Sequence, residues 1–553
     1  MRGPRLFHWE LSKVFYFLFH SSRLPDRNIS RITLVLFQKP SPPLVCRNEL
    51  AKQSLSEGLQ AETQQAWRRG RLNDFSPCLF SYGIWPYNFF KKLGIPGPRP
   101  LPFVGTFLEY RHGVVHFDMK CHQKYGKIWG FFDGRQPVLA ILDPAMIKTI
   151  LVKKFYTHFT NHRLFGLNGE LEASLGVVSD EQWRRIRTVL SPNFTSGRLK
   201  EMMPIINHYG EMLLKNVQMR IKNTESIDTK IIFGAYTMDV LASTSLSIDT
   251  DSINNSKDLF VKKVQELFNL IVFPFLKPLL DILNFTLPPS SVMTFFTAVV
   301  KKIKKDRQKN KHMDRVDFLQ LMVDSQISGD ISDGEILTQA ITFIFAGYDS
   351  ISNTLGYLSY SLATHPDVQQ KLQEEIDKIL PNQAPPTYDV IFQMEYLDMV
   401  VNENLRIYPI GGRVDRICKK TVEIHGVTIP KGTAIIIPVF VLQRLPEYWP
   451  EPEEFRPERF SKENKETLDP YTFLPFGAGP RNCIGMRFAL LAVKVAVVVL
   501  LQKFSFRTCE ETPIPLELNS QLIIEPKQPI KVKFVPRKAA GSEEQRNRKL
   551  ERA

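Results

Sequence analysis

The chain has 553 residues, of which 43% are hydrophobic and 23% are charged, and these proportions match those of ordinary globular proteins. Its formal net charge of +15 suits an anionic membrane surface or an acidic partner protein, whereas nucleic acid is excluded as a partner because no module with clustered basic and stacking residues is present. Six widely spaced cysteines without a C-x-x-C pair exclude the disulfide framework of a small secreted domain and indicate a reducing compartment.

Residues 1–83 differ from the rest of the chain, because polar runs separate short apolar pieces there. The longest apolar pieces, 14–19 and 32–37, are far shorter than the roughly 18 residues that a bilayer span needs. We therefore predict a disordered N-terminal region without a transmembrane helix. The main folded domain is predicted over 84–536, with a stiff proline-rich stretch near its start, and a basic polar tail follows at 537–553.

Four helices of this domain are predicted from apolar periodicity and capping patterns. A basic amphipathic helix covers Asp180–Leu190. The S-x-x-E pattern at 332–335 is a capping box, and it starts an unusually long helix that ends at His365. Pro366 opens the next helix, and a further helix covers 394–408.

Strand character is confined to shorter segments. Apolar residues alternate over 422–429 around a His425-Gly426 turn, which predicts a hairpin.

A further helix, long and apolar, is predicted at 486–502. Helices therefore dominate, and the sequence predicts a mainly α fold with a small β-sheet subdomain.

The most informative segment is 476–485, FGAGPRNCIG, which directly precedes that apolar helix. Glycines on both sides of Cys483 let the backbone fold closely round it, and the following helix directs its positive N-terminal end toward the sulfur. This arrangement predicts a stabilised thiolate that serves as a ligand or a nucleophile. The alternative is a buried free thiol in a glycine-rich loop, which is the commoner fate of a cysteine.

The segment 476–485 resembles the haem-binding loop of the cytochromes P-450, whose pattern is F-x-x-G-x-R-x-C-x-G, and every fixed position is present. The segments 93–98, 194–197, 365–375 and 480–490 resemble the 3A subfamily. The resemblance covers roughly 84 to 536 and implies the helical prism of that family. It also implies that Cys483 is the axial ligand to the iron of haem b, where a thiolate donates electron density to the metal.

Basic and aromatic residues near this loop suit the haem propionates. Trp183 and Arg187 lie four residues apart on one helical face, and both can donate to a carboxylate. Without the resemblance they are an aromatic and a cation on an amphipathic helix. The resemblance makes them propionate contacts, together with Arg416 and Arg481. At position 162, where close relatives usually carry arginine, this chain has His162, which predicts slightly weaker haem binding.

Glu403 and Arg406 are three residues apart on a predicted helix, so they can form an ion pair. On a surface such a pair contributes only about 0–1 kcal/mol. The resemblance implies instead that this pair ties its helix to the segment 455–460 and that Arg459 is its third partner. The expected role of the three residues is structural.

The long helix carries the segment 346–350, AGYDS, which resembles the oxygen-activating motif of the family. Small residues at Ala346 and Gly347 leave room for dioxygen, and Asp349 and Ser350 are the implied proton relay. Serine stands where the family usually has threonine, which predicts a freer hydroxyl and some leakage of oxygen to hydrogen peroxide. The alternative for Ser350 is a helical serine that bonds back to its own backbone.

An apolar pocket for large lipophilic substrates such as steroids, drugs and other xenobiotics is implied by the resemblance. The chain has 39 phenylalanines, which fits an aromatic-rich interior. A strongly apolar stretch at 270–287 is interrupted by prolines and charges, so we expect it to dip into a membrane surface. The expected pocket residues are Phe165, Thr342, Phe345, Ala346, Gly411 and Gly412.

The reaction expected from the resemblance is an unspecific monooxygenation that uses dioxygen and NADPH-derived electrons. The expected partners are NADPH–cytochrome P-450 reductase and cytochrome b5, and the expected location is the cytosolic face of the endoplasmic reticulum membrane, although the usual N-terminal anchor is not evident. Two alternatives are a non-catalytic haem-binding protein and an isomerase that acts on peroxides without a reductase. Dependence of turnover on NADPH separates these possibilities.

Overall fold

The computed structural model describes residues 81–163, 169–223, 225–255, 259–268, 290–309, 317–327, 331–520 and 523–537. Helices dominate this part of the chain, as the sequence predicts. The helices are α1 (Phe89–Lys92), α2 (Val114–Tyr125), α3 (Pro144–Lys148), α4 (Phe155–His158), α5 (Asp180–Leu190), α6 (Ser196–Arg220), α7 (Thr229–Leu246), α8 (Leu259–Phe268), α9 (Ser290–Lys309), α10 (Phe318–Ile327), α11 (Asp333–Thr364), α12 (Pro366–Ile379), α13 (Tyr388–Gln393), α14 (Glu395–Ile407), α15 (Val439–Leu442), α16 (Lys462–Thr467) and α17 (Met486–Leu501).

The strands are short and form four small sheets. They are β1 (Ile128–Asp133), β2 (Gln136–Ile141), β3 (Ile227–Asp228), β4 (Val414–Ile417), β5 (Val422–Ile424), β6 (Val427–Ile429), β7 (Ala434–Ile437), β8 (Phe504–Arg507), β9 (Leu518–Ser520), β10 (Ile524–Pro526) and β11 (Lys531–Pro536). The largest sheet has the order β1-β2-β7-β4, in which only the β2–β7 pair is parallel. The others pair β3-β11-β8, β5-β6 and β9-β10.

The long helix α11 is the centre of the helical body. Ser332 accepts from the Glu335 backbone and the Glu335 carboxylate accepts from the Ser332 backbone, so the predicted capping box is present. The helix has 32 residues, about 48 Å at 1.5 Å per residue, and it ends at Thr364, with His365 as its cap before Pro366. It packs against α7, which is buried over most of its length.

Other predicted elements are confirmed within a residue or two. Helix α5 has the predicted bounds, and α14 and α17 each begin and end close to where apolar periodicity placed them. The β5–β6 hairpin turns at His425 and Gly426, whose φ angles of 49° and 78° match a tight turn with two left-handed residues. Local sequence signals therefore fixed these elements.

Two apolar cores hold the domain together. One core joins the helices and includes Trp183, Phe345 and the inner face of α17. The other joins β1, β2 and β7 with the start of the domain, where the ring of Phe90 lies so close to Gly130 that a Cβ there would be 2.2 Å from it. The residues expected to bind haem lie on α5, on β4 and in the loop before α17. They therefore come from elements of both apolar cores.

Several predictions fall outside the described residues: Phe165, the apolar stretch at 270–287, nearly all of the N-terminal region and the tail beyond residue 537. Among the helices that are described, none combines the length and the apolar character of a membrane span.

Candidate active site

The loop that carries Cys483 is tightly folded because two of its glycines adopt backbone angles that favour glycine. Gly477 and Gly479 have φ angles of 69° and 75°. A Cβ at Gly479 would lie 2.0 Å from the carbonyl oxygen of Leu151, so only glycine fits there. The Cys483 amide donates to the Phe476 carbonyl over 2.9 Å, which closes the loop directly before α17.

Cys483 is exposed, whereas Cys121 and Cys418 are buried. Although the residue is exposed to solvent on one side, the protein atoms around its sulfur raise the pKa of the thiol, and the neighbouring N–H of Gly485 and the guanidinium of Arg187 offset this in part. The stabilised thiolate at Cys483 stays a prediction. A metal cation bound to the sulfur would supply the missing stabilisation and displace the proton.

Helix α11 presents one small residue to open space. Ala346 is exposed in the middle of this helix, although the adjacent Phe345 is buried. Gly347 has a different role from the one predicted, because it lies against α7 and a Cβ there would be 2.7 Å from Leu241 Cδ2. Ala346 therefore leaves open space beside α11, and Gly347 allows α7 and α11 to approach each other closely.

Three buried residues expected to contact the haem propionates have donors without a partner. These donors are Trp183 Nε1, Arg416 Nε and Nη2, and Arg481 Nε. The guanidinium of Arg481 lies 5.2 Å above the ring of Trp183, so two of the three residues are in contact. Burial lowers the pKa of Arg416 to about 10 and that of Arg481 to about 9. Buried cations with unused donors are costly unless an anion binds them.

The remaining bonds of these arginines fix their positions. Arg481 donates from Nη1 to the Thr160 carbonyl over 2.9 Å and from Nη2 to the Val178 carbonyl over 2.7 Å. Arg416 donates from Nη1 to the Asp415 carbonyl over 2.6 Å. Each guanidinium is therefore held by backbone oxygens, with its free N–H groups left for a ligand. These donors fit the carboxylates of a haem group.

Arg187 binds the loop that carries Cys483. Its Nη1 donates to the Asn482 carbonyl over 2.9 Å, and its Nη2 donates to the Asn482 side chain over 3.0 Å. The residue therefore binds the loop beside Cys483. Sequence reasoning could not find this contact, because the two residues are 295 positions apart.

His162 lies beside Arg416 and bonds to a carboxylate that the sequence analysis did not single out. Its Nδ1 is 3.1 Å from Asp415 Oδ1 and 3.4 Å from Arg416 Nη1. Burial lowers the pKa of His162, and the carboxylate of Asp415 offsets this only in part. The adjacent Arg163 is directed to Asp133, with which it forms an ion pair.

The Glu403–Arg406 pair is fully buried, so the surface value considered from the sequence does not apply. Both side chains are 0% exposed, and the two bonds between them measure 2.7 and 2.8 Å. Arg459 Nε lies 3.3 Å from Glu403 Oε1, and the Arg456 amide donates to the same oxygen over 2.9 Å. Arg406 also donates to three backbone carbonyls, those of Gln443, Pro452 and Glu454.

The two residues of the expected proton relay have separate partners. Asp349 forms an ion pair with Lys230 of α7, and Lys230 also donates to Ser352 and Asn353 over 3.1 and 2.7 Å. The hydroxyl of Ser350 donates to the backbone carbonyl of Ala346 over 2.8 Å. The side chain of Ser350 thus bonds back to its own helix, as the alternative interpretation predicts. Nothing in the sequence of α7 singled out Lys230.

The expected pocket residues differ in burial. Phe345 is buried and its ring meets Phe296 edge-on, with the centroids 5.3 Å apart. Thr342 donates to the carbonyl of Thr338 over 2.7 Å, which leaves its methyl group free to contact apolar atoms. Gly411 is exposed and pairs with Ile523, whereas Gly412 is buried and its carbonyl accepts from the Phe440 amide.

Known proteins match this chain over almost all of the described domain. The family model for cytochrome P450 matches residues 95–534. Cytochrome P450 3A29 of Sus scrofa, 3A28 of Bos taurus and 3A12 of Canis lupus familiaris are each 55% identical to this chain over 475 residues, which is 83% of the chain and 94% of each relative. These matches confirm the predicted family and the likeness to its 3A subfamily. The chain therefore belongs to the cytochrome P450 family of haem-thiolate monooxygenases, and it uses haem b, dioxygen and electrons from NADPH through a reductase.

Proposed function

We propose that Cys483 is the axial ligand to the haem iron and that Trp183, Arg416 and Arg481 bind the haem propionates. The observation that carries this proposal is the set of unpartnered donors on three buried residues, beside an exposed cysteine in a tightly closed loop. Haem with a thiolate ligand supplies the activation of dioxygen for insertion of one oxygen atom into a substrate. Arg187 supports the site by binding Asn482, next to the ligand.

Asp349 and Ser350 are proposed to deliver the protons that this reaction consumes. A carboxylate and a hydroxyl on adjacent positions of α11 can pass protons from solvent toward the open side of the helix. To do so, Ser350 must exchange its bond with the Ala346 carbonyl for one with a ligand or water. Because this hydroxyl lacks the methyl group of threonine, its rotamer is freer, which supports the expected leakage to hydrogen peroxide.

The substrates are proposed to be large lipophilic molecules, such as steroids, drugs and other xenobiotics. An edge-to-face pair of Phe345 and Phe296 and the exposed Ala346 support an apolar pocket beside α11. Thr342, Gly411 and Gly412 are proposed to complete its wall, and Phe165, which lies outside the described residues, is proposed to face it.

We also propose that the protein works at the cytosolic face of the endoplasmic reticulum membrane and that cytochrome b5 is a second electron donor. The positive net charge of +15 favours both an anionic lipid surface and an acidic partner. If the expressed protein appears entirely in the salt-washed soluble fraction, the membrane proposal fails.

The test of the haem ligand is the absorbance spectrum of the dithionite-reduced, carbon-monoxide-bound protein, compared with that of Cys483→Ser. We expect a strongly red-shifted Soret band in the wild type and its complete loss in the variant. Folded, haem-loaded wild type without this band would show that Cys483 is not the ligand. Turnover that needs NADPH and reductase then separates the monooxygenase from an isomerase or a non-catalytic haem protein.

A further inference from the structure

Four phenylalanine rings from three helices are in continuous contact, and we call them the phenylalanine cluster. On α9, the rings of Phe295 and Phe296 lie 5.1 Å apart. The ring of Phe260 on α8 lies 5.3 Å from Phe295 and 5.6 Å from Phe296. Phe345 on α11 joins the cluster through Phe296, with the centroids 5.3 Å apart and the planes at 84°. All four contacts are edge-to-face, which is a favourable geometry for aromatic pairs.

Phe345 separates this cluster from the open space beside α11. Thr342, Phe345 and Ala346 lie three and four residues apart, so they share one side of the helix. Ala346 is exposed on that side, whereas Phe345 is only 6% exposed. Phe296, against which its ring packs, is 0% exposed. The ring of Phe345 is therefore packed against α9, and the space beside Ala346 is left open.

Helix α9 is also held by polar contacts that do not involve the cluster. Lys304 forms an ion pair with Asp333 in the first turn of α11, and it donates to Gln326 over 2.6 Å. Arg307 donates from Nη1 to the buried carboxylate of Asp317 over 2.8 Å. A substitution at position 296 therefore changes the ring contact and leaves the polar contacts that fix α9 in place.

We propose that Phe296 is a positioning residue that determines how large a substrate the pocket accepts. Its edge-to-face contact selects one of the two χ1 rotamers that aromatic residues commonly adopt in helices, and so holds the ring of Phe345 away from Ala346. Leucine at position 296 fills most of the same volume but has no ring. The Phe345 ring is then free to turn into the space beside Ala346, which narrows the pocket. This inference rests on the proposed substrate pocket beside α11.

The test is a spectral titration of the haem-loaded protein with imidazole, 4-phenylimidazole and 1-tritylimidazole. These probes coordinate iron through the same kind of nitrogen and differ in bulk, so the change in the Soret band reports binding without turnover. We expect Phe296→Leu to raise the Kd of 1-tritylimidazole about two- to tenfold, the range that corresponds to one aromatic pair. The Kd of imidazole should equal that of wild type, and 4-phenylimidazole should lie between the two.

Phe534→Leu is the matched control. Phe534 is 4% exposed and its ring meets Phe506 edge-on at 5.1 Å, but this pair lies in the β8–β11 sheet. The control therefore loses a buried aromatic pair of the same kind, and we expect its three Kd values to equal those of wild type. A rise for 1-tritylimidazole that is the same in F296L and F534L would overturn the inference.

A double-mutant cycle with Phe345→Leu separates positioning from a general structural effect. If Phe296 acts through the ring of Phe345, F296L has no further effect on the Kd of 1-tritylimidazole once that ring is absent. Additive effects of the two substitutions would overturn the inference. If F296L does not incorporate haem, Phe296→Met replaces it in the cycle, because methionine also fills the site and contacts a ring through its sulfur. We expect F296M to raise the Kd less than twofold, and additivity with F345L again contradicts the proposal.

Failure of this inference can be told apart from failure of the proposed function. A haem-loaded wild type that binds 1-tritylimidazole no more tightly than imidazole contradicts the proposed apolar pocket itself. A wild type that prefers 1-tritylimidazole, with F296L identical to it across the three probes, contradicts only the role of Phe296.

Discussion

Two groups of buried arginines in this protein differ in one respect, which is whether their charges are paired. Arg406 is 0% exposed and uses Glu403 and three backbone carbonyls, so its donors are satisfied by the protein itself. Arg416 is 1% exposed, yet two of its nitrogens have no partner. The first group is complete without a ligand, whereas the second is complete only when an anion binds. The unused donors of Arg416 therefore suit a bound anion, whereas the donors of Arg406 are used within the protein.

The largest effect is expected at the paired group. Replacement of Arg406 by methionine leaves the carboxylate of Glu403 buried without its bidentate partner, which costs about 3–5 kcal/mol. We expect a correspondingly lower free energy of unfolding, measured by denaturant titration, in both the haem-free and the haem-loaded protein. Arg459→Met should cost less, since Arg459 makes one 3.3 Å contact with Glu403. Equal stability of R406M and wild type would remove the distinction between the two groups.

The same substitution at Arg416 should have effects of opposite sign in the two forms. Removing a buried cation with unused donors relieves a cost of about 1–3 kcal/mol in the haem-free protein, so we expect a higher Tm for haem-free R416M than for haem-free wild type. The haem-loaded variant loses a propionate contact and should release haem to apomyoglobin several times faster. A haem-release rate equal to that of wild type would contradict the assignment of Arg416 to the propionates.

The smallest effect is a pH dependence at His162. Its folded-state pKa is lowered, so the unfolded chain binds the extra proton first as the pH falls below its ordinary value of about 6.5. The contribution of His162 to the free energy of unfolding is therefore greatest above that pH and decreases as the pH falls toward the folded-state pKa. His162→Gln, which keeps a polar group facing Asp415, Arg416 and Arg481, should lose less stability between neutral and mildly acid pH. Parallel stability curves for variant and wild type would assign this acid sensitivity to other groups.

Much of the fold and one part of the site could be predicted from local signals. The capping box at Ser332, the stop at Pro366 and the turn at His425 each act within a few residues, and the structure has the elements that they predict. The loop around Cys483 was recognisable for the same reason, because glycine at 479 is the only residue that can approach Leu151 so closely. Interactions between residues close in the chain require particular residue types at fixed spacings, so they can be recognised in the sequence.

Tertiary structure alone decided what those residues contact. Gly347 faces Leu241 and not the open side of α11, Arg187 binds Asn482, and Asp349 pairs with Lys230, each with a partner more than 100 residues away. The sequence by itself determined the elements, the cysteine loop and the family. Packing decided which donors stay unpaired and which charges form pairs, because burial and long-range pairing depend on surfaces that only the folded chain brings together.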